Sequence, residues 1–313
     1  MIQITSHQQT PVGETRDIPG GHKAWRTEYI GFSPIRPDRA QGWMLESSPQ
    51  RVLRAHYHEV DQFQVVVEGE GLMGKHRVGP GVVHFSRAHT PYGPIVWGDQ
   101  GMQLLTIRPR PDTLGSPQFM PESRDKLRHI PRNAYQVSHQ VDLAETNEAV
   151  HVEPLPGMQD DAGLSAHAYT LKPGGQTLAP DPSAGGGQWI LVMKGSLIHE
   201  GKSYPGFSIA EVTPDESAFR LQAGPDGLQA IVLSFSRVDA QGVKSTAIGA
   251  KAAKAQPAAT RTWLCELCGF IYDEAAGMPE EGIAAGTRWE DVPEAWGCPD
   301  CSGTKADFRM VEL

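Results

Sequence analysis

All four cysteines of the 313-residue chain stand in two Cys-x-x-Cys pairs, Cys265 with Cys268 and Cys298 with Cys301. Each pair supplies two thiolates from one tight turn, and four thiolates in a tetrahedron suit iron or zinc. In a chain without a visible secretory signal, such pairs favour a metal centre over disulfides. A redox-active iron site and a structural zinc ribbon are both compatible with this spacing.

Histidines provide a second set of candidate ligands, in the first third of the chain. His56 and His58 are two residues apart, so both imidazoles point to one face of a strand. Gln62 has the same parity and can converge on the same point. Two imidazoles and an oxygen donor form part of the ligand set of a non-haem metal site. Taken alone, His-x-His is explained equally well by histidines of the surface or the core.

The segments that must position these residues have the pattern of β-structure. The 34 glycines and 25 prolines are an excess that favours a turn-rich, mainly β protein. Strand-like sequence runs from about 43 to 107 and again from about 166 to 235. Gln62 and Gln188 each open a strand that closes at a glycine seven residues later. The two stretches are therefore weak repeats, which indicates a duplicated barrel.

The charge distribution narrows the classes of partner. A net charge of −9 argues against a general nucleic-acid-binding protein. Residues 262–313 carry 11 acidic and 3 basic side chains, and the basic residues 108–132 are either a docking site for that acidic segment or a solvated loop. No apolar run approaches the ~18 residues of a membrane span, and no secretory signal is visible. We expect a cytoplasmic protein without membrane contact.

The C-terminal sequence closely resembles rubredoxin over residues 262–313. The resemblance is carried by Cys-Glu-Leu-Cys-Gly-Phe-Ile-Tyr-Asp, by Trp-Gly-Cys-Pro-Asp-Cys, and by six aromatic positions. It implies one iron, held by Cys265, Cys268, Cys298 and Cys301, that carries one electron and is served by a rubredoxin reductase or a similar donor. Rubredoxins usually have glycine where this chain has Ser302. That change can alter the turn or the redox potential but removes no ligand.

The histidine segment resembles the first metal-binding motif of the cupin superfamily. His56, His58, Gln62 and Gly69 have the spacing of that motif, with Gln62 where the family has glutamate. The resemblance implies a second divalent metal, Fe(II), in this unit. Because a neutral amide replaces a carboxylate, the site should hold the cation less tightly or leave more positive charge for an anionic ligand.

The second cupin motif is less regular. The family spacing, counted from Gly81, reaches Tyr92 instead of a histidine, and His89 lies three residues earlier. We favour His89 as the third imidazole, with Tyr92 as the alternative, either a phenolate ligand or a neighbour of the metal. His84 is expected on the other face of its strand.

The second β stretch also resembles a cupin, but Pro182 and Ala184 occupy its ligand positions. The predicted fold class is mainly β, with two cupin-type β-barrels and a small rubredoxin-like domain that a bound metal stabilises. The second barrel is degenerate, because it lacks the metal ligands. The expected boundaries are listed here in chain order: a metal-binding barrel with an N-terminal extension over 1–140, the degenerate barrel over 141–238, a flexible linker over 239–261, and the rubredoxin domain over 262–313. A homodimer is compatible with this fold, since cupin barrels commonly pair.

The fusion of an electron carrier to a metal barrel favours redox chemistry. Iron(II) with two or three imidazoles and open positions can bind O2. A monooxygenase needs two external electrons, and a dioxygenase benefits from re-reduction of ferric iron. We therefore predict an iron-dependent oxygenase, with Tyr92 and Arg54 as catalytic residues. Arg54 and Arg87 flank the ligands and could hold a carboxylate, although outward ion pairs explain them equally well.

Resemblance also informs the substrate and the alternatives. Bacterial 3-hydroxyanthranilate dioxygenases likewise join a cupin to a rubredoxin-like iron site, which favours an aromatic substrate. The alternative from another class is a redox-responsive protein that binds a small ligand and in which only the rubredoxin carries functional iron. Haem held by one histidine is a third hypothesis, and it is weakened by the lack of a haem attachment motif.

Overall fold

The computed structural model describes residues 1–13, 15–18, 20–32, 39–112, 117–128, 136–143, 146–237, 261–265, 270–293, 296–299 and 304–311. Its regular structure consists of antiparallel strands and short 3₁₀ turns, which confirms the mainly β fold class. The predicted linker lies outside the described residues except for Arg261. None of the helical turns in the described ranges has the length and apolar character needed to span a membrane.

The first unit is built around a nine-stranded sheet. The strands up to residue 140 are β1 (Ile2–Ser6), β2 (Arg16–Ile18), β3 (His22–Ile30), β4 (Gln41–Ser47), β5 (Val52–Leu53), β6 (His56–Tyr57), β7 (Gln62–Met73), β8 (His76–Val78), β9 (Val82–Ser86), β10 (Ile95–Arg108), β11 (Gln118–Phe119) and β12 (Gln136–Gln140). The sheet order is β12-β9-β7-β10-β4-β3-β2, with β5 beside β10 and β8 beside β7. The short strands β6 and β11 pair with each other.

The second unit contains an eight-stranded sheet. Its strands are β13 (Val150–Pro154), β14 (Ser165–Leu171), β15 (Gln176–Leu178), β16 (Gln188–His199), β17 (Lys202–Pro205), β18 (Ser208–Val212) and β19 (Arg220–Ser234), together with β1. The order is β1-β18-β16-β19-β14-β13, with β15 beside β19 and β17 beside β16.

The position of β1 differs from the predicted division of the chain. Residues 1–140 were expected to form one unit, but β1 pairs along its whole length with β18 of the second unit. An edge strand exposes unpaired backbone groups, and covering it with the N-terminal strand removes that exposure. The N-terminus therefore belongs structurally to the second unit.

The two units share one apolar core. Alternation along β7 sends Phe63 and Val65 into this core, and alternation along β16 sends Trp189 and Leu191 into it. The rings of Phe63 and Phe235 lie 5.0 Å apart across the junction. The opposite faces of the same strands point into the interiors of their own units, which is where the candidate site lies in the first unit.

The second unit has an apolar interior where the first has polar groups. Ile190, Val192 and Val232 belong to its inner cluster, and Pro182 and Ala184 form part of a 3₁₀ turn that Asp181 caps. These residue types offer no metal ligands, in keeping with the expected degenerate character of this unit.

The C-terminal module has a three-stranded sheet in the order β21-β20-β22. Its strands are β20 (Thr262–Cys265), β21 (Ile271–Asp273) and β22 (Phe308–Val311). The six aromatic residues identified in the sequence form one cluster, namely Trp263, Phe270, Tyr272, Trp289, Trp296 and Phe308. The 3₁₀ turns of the whole described chain are His7–Gln9, Arg124–Lys126, Pro182–Ala184, Pro279–Glu281, Trp289–Asp291 and Lys305–Asp307.

Candidate metal centres

Strand pairing gathers the polar residues of the first unit on its inner face. A β-bridge joins His56 to Tyr92, and the register of β7 with β9 sets Gln64 opposite His84. Gln62 and Gln64 have the same parity on β7, so both face inward. His56, Gln62, His84 and Tyr92 are each no more than 2% exposed. The result is a buried polar cluster inside a β unit.

A hydrogen-bonded chain of fixed direction runs through this cluster. Arg108 can only donate, and it donates to Oε1 of Gln62 from Nε at 3.2 Å and from Nη2 at 3.1 Å. The Nε2 of Gln62 therefore donates to the hydroxyl of Tyr92. That hydroxyl donates to Nε2 of His56 at 3.0 Å, while Nδ1 of His56 donates to the Arg54 carbonyl at 2.7 Å.

Gln62, a predicted metal ligand, has other partners in this structure. Its carbonyl oxygen accepts from Arg108, and its amide nitrogen donates to Tyr92. The side chain instead connects the two residues and fixes the orientation of the Tyr92 hydroxyl.

The other two histidines of the cluster are anchored in the same way as His56. His58 donates through Nδ1 to the Asp112 carboxylate at 2.6 Å, and Nδ1 of His84 lies 2.8 Å from the hydroxyl of Ser138. Histidines that bind metals commonly use one ring nitrogen for such an outer partner and the other for the ion. The Nε2 of His84 is buried without a hydrogen-bond partner.

Burial keeps these imidazoles neutral. It lowers the pKa of His56 to about 3, and repulsion between protonated His56 and protonated His58 adds to this effect. Burial also lowers the pKa of His84 to about 3. Burial also lowers the pKa of His58 to about 4, against the opposing effect of Asp112. Burial raises the pKa of Tyr92 above its ordinary value, so the phenol is protonated. Neutral imidazole is the form that binds a metal.

His89, the predicted third imidazole, is placed elsewhere. Its ring lies 5.5 Å from that of Tyr57, and its Nε2 is 4.0 Å from the Glu59 carboxylate. Tyr57 and Glu59 alternate with His56 and His58, so His89 is on the other side of that segment. It is His84, expected to face away, whose ring lies 5.2 Å from the ring of Tyr92.

The two arginines considered as carboxylate binders also have other partners. Arg54 is about half exposed and bonds to the Met120 carbonyl at 2.8 Å and to Glu122. Its predicted catalytic role is corrected accordingly, since only its backbone carbonyl contacts the cluster. Arg87 is buried and bridges Asp61, at 3.4 Å, to Asp160 of the second unit, at 2.6 Å.

The imidazoles of His56, His58 and His84 fit a first-row transition metal in their chemistry. The orphaned Nε2 of His84 supports that fit. Among the residues that the structure describes, no three His, Cys, Asp or Glu side chains are already grouped as a metal site. The Tyr92 hydroxyl caps Nε2 of His56. Metal binding at that nitrogen requires the hydroxyl to move or to give up its hydrogen.

A cavity of about 250 Å³ adjoins the cluster. The imidazole of His84 forms part of its wall, and Ser138 and His76 line it nearer the surface. Gly93 is also part of the lining. His84 thus belongs both to the cavity wall and to the polar cluster.

The second candidate centre is in the C-terminal module. Cys265 ends β20 and Cys298 follows Trp296, and both thiols are buried in the aromatic cluster. The predicted ligands Cys268 and Cys301 lie outside the described residues. Two buried thiols brought together by one small core are the donors that the predicted iron site requires.

Glu274 supports the same module electrostatically. Its carboxylate is 1% exposed and accepts hydrogen bonds from the backbone N–H of Arg261 and Trp289, each at 2.9 Å, and from the Trp263 indole at 3.0 Å. Burial alone would raise the pKa of Glu274, but these donors outweigh it and hold the pKa at about 2.

We expect the stability of this module to depend on pH through Glu274. A depressed carboxyl pKa stabilises the fold fully above the ordinary value of 4.5, and that contribution is lost as the pH falls towards about 2. Glu274→Gln should therefore destabilise the module at neutral pH and approach wild-type stability in acid. Tryptophan fluorescence during urea unfolding at several pH values measures this, with the exposed Asp291→Asn as control. A wild-type-like stability of Glu274→Gln at pH 7 would contradict it.

Two ion pairs between described residues join the C-terminal module to the first unit. Lys75, between β7 and β8, lies 3.1 Å from Glu281, and Arg124 lies 3.4 Å from Asp307. Arg124 belongs to the basic stretch that was considered as a docking site. Each exposed pair contributes only about 0–1 kcal/mol, so these two pairs by themselves hold the module weakly.

Sequence reasoning missed His84, Arg108 and Asp112. Antiparallel pairing of the β9 sequence with β7 opposite Gln64 would have placed His84 correctly. Arg108 stands at the end of β10 and Asp112 four residues later, and no motif marks either of them. They reach the site only through the path of β10 across the sheet.

Comparison with known proteins matches these two parts separately. The rubredoxin family profile covers residues 262–308. Rubredoxin-2 of Pseudomonas aeruginosa is 66% identical over 53 residues, which are 17% of this chain and 96% of that protein. A dioxygenase candidate from Nostoc punctiforme has a TM-score of 0.51 at 12% identity, over 78% of this chain and 85% of that one.

A bacterial pirin of Escherichia coli, solved with nickel(II), has a TM-score of 0.48 at 14% identity and covers 76% of this chain and all of that one. The dioxygenase candidate shares its fold with most of this chain, and the C-terminal residues match the rubredoxin family. The rubredoxin relatives of the C-terminal residues imply an iron centre with cysteine ligands in that part of the chain.

Proposed function

The chain belongs to the rubredoxin family through residues 262–308, and from this premise we propose that it is an iron-dependent oxygenase. The first unit binds Fe(II), O2 and a small-molecule substrate, and the rubredoxin module supplies or restores electrons. The observation that carries this proposal is the common arrangement of His56, His58 and His84. Each ring is buried, kept neutral and anchored through Nδ1. The Nε2 of His84 has no hydrogen-bond partner, and that of His56 becomes available to a metal once the Tyr92 hydroxyl moves.

The proposal assigns distinct tasks to the residues around the three imidazoles. Bound iron(II) supplies a position at which O2 can be activated. Asp112 holds His58 in the tautomer that presents Nε2. Gln62 and Arg108 orient the Tyr92 hydroxyl, which is the proton donor nearest to His56 along the hydrogen-bonded chain. Tyr92 can therefore donate a proton towards the site. The apolar core shared with the second unit excludes water from that side of the first unit.

The contact between the two parts supports electron delivery within one chain. Glu281 and Asp307 of the module lie against Lys75 and Arg124 of the first unit. A tethered module meets its neighbour at a concentration of the order of millimolar. Because the ion pairs are weak, the module can also leave this surface and accept electrons from an external donor.

Iron content and oxygen consumption test the proposal together. The full chain, purified anaerobically and reduced, should bind iron in both parts and consume O2 with electrons from the reduced rubredoxin. His56→Ala combined with His58→Ala should remove one iron and the O2 uptake, while the visible spectrum of the rubredoxin iron remains. His7→Ala combined with His151→Ala is the matched control, since neither ring contacts the cluster.

The alternative is a redox-responsive protein that binds a small ligand and has functional iron only in the rubredoxin module. The buried Arg108 favours it, because a cationic guanidinium beside the cluster opposes a bound cation. Iron confined to the module, even after iron is added back, supports this alternative. O2 uptake that survives in the double histidine variant contradicts the oxygenase proposal.

A further inference from the structure

We propose that the cavity beside His84 binds an uncharged, single-ring molecule that carries hydroxyl or carbonyl groups. Binding of this molecule needs no metal. Only the statement that it represents the class of substrate rests on the proposed function. It differs from the expectation that an arginine near the ligands holds a carboxylate.

The lining of the cavity determines the charge of what it can hold. Its residues are Met73, Gly74, His76, His84, Gly93, Gln136, Val137 and Ser138. None of these is an aspartate, glutamate, lysine or arginine, so the lining has no permanently charged side chain to compensate a buried anion. Lys75, which adjoins two of the lining residues in sequence, has its ammonium group 3.1 Å from Glu281.

The same lining determines the shape and the polar groups of the ligand. Met73 gives the cavity apolar surface, while Gln136 and Ser138 provide neutral donors and acceptors on one side of β12. The volume is about 250 Å³. A cavity of ~150 Å³ accommodates benzene, so this one holds a single ring with small substituents.

His84 links the cavity to the cluster. It is 2% exposed, lines the cavity, and has its ring centroid 5.2 Å from that of Tyr92. A molecule in the cavity therefore contacts the same side chain that is assigned to the metal. This proximity makes the cavity a substrate site and not a remote pocket.

Binding of phenol and benzoate to the full-length chain at pH 7 tests the inference. The two probes have similar rings, but only benzoate is ionised at this pH. Titration calorimetry should give a dissociation constant for phenol at least tenfold below that for benzoate. Ser138→Trp, which fills the cavity, should abolish phenol binding, and Ser203→Trp, which adds the same side chain on exposed β17 away from the cavity, should retain it.

Gln136→Trp provides a second blocking variant in case Ser138→Trp fails to fold. Equal or tighter binding of benzoate overturns the inference, as does unchanged phenol binding in a folded blocking variant. A chain that binds phenol in the cavity but holds iron only in its C-terminal module keeps this inference and loses the oxygenase. A chain that binds two irons but no phenol overturns this inference and keeps the oxygenase proposal.

Discussion

A chain carrying His84→Ala should bind about one iron in place of about two, whereas His89→Ala should still bind both. The Nε2 of His84 is buried without a partner beside Tyr92. His89 instead contacts Tyr57 and lies near Glu59. Removing His84 takes away a ligand, while removing His89 affects only the far side of that segment. Iron per chain, measured by elemental analysis after anaerobic reconstitution, distinguishes the two variants.

The rubredoxin iron is the internal reference in this comparison. Its visible spectrum should be identical in both variants, so a loss of one iron can be assigned to the first unit. Circular dichroism establishes that each variant is folded. Loss of iron from His89→Ala with retention in His84→Ala would reverse the assignment and restore the third ligand expected from the sequence.

The positions of His84 and His89 show why the third histidine of the site could not be predicted from the sequence. The cysteine pairs and the six aromatic positions identified the C-terminal module, because a small metal-stapled core leaves little freedom in sequence. His56 and His58 were found by parity along a short strand. His89 has a positive φ of 58°, and a left-handed residue turns the chain, so counting along the sequence no longer tells which face a side chain takes.

Long-range pairing accounts for the other differences. The register of β9 against β7 places His84 inside, and the length of β10 delivers Arg108 to Gln62. Neither register nor strand length can be read from local spacing. The same reason explains β1, whose pairing partner β18 is about two hundred residues away in the chain. The chemistry of the site was therefore partly predictable, but its hydrogen-bonded chain was not.

The second large effect is expected for Gln62→Glu, which alters that hydrogen-bonded chain and with it the affinity of the first unit for a metal. Glutamine must turn its oxygen to Arg108 and its N–H to Tyr92, which forces the Tyr92 hydrogen onto His56. A glutamate has acceptors at both ends, so Tyr92 can donate to it and release Nε2 of His56. The new carboxylate also offsets the charge of Arg108. We expect zinc to bind the first unit at least tenfold more tightly, which requires only about 1.4 kcal/mol.

Two further variants separate the two contributions to this gain. Tyr92→Phe releases Nε2 of His56 without adding charge, so it should tighten zinc binding by less than Gln62→Glu does. Gln176→Glu, on the exposed strand β15, adds the same charge away from the site and should leave the affinity unchanged. Competition with a chelator measures each dissociation constant while iron fills the rubredoxin module. If Tyr92→Phe matches Gln62→Glu, release of the histidine nitrogen accounts for the whole gain; if neither binds zinc more tightly than wild type, the Tyr92 hydroxyl is no obstacle to the metal.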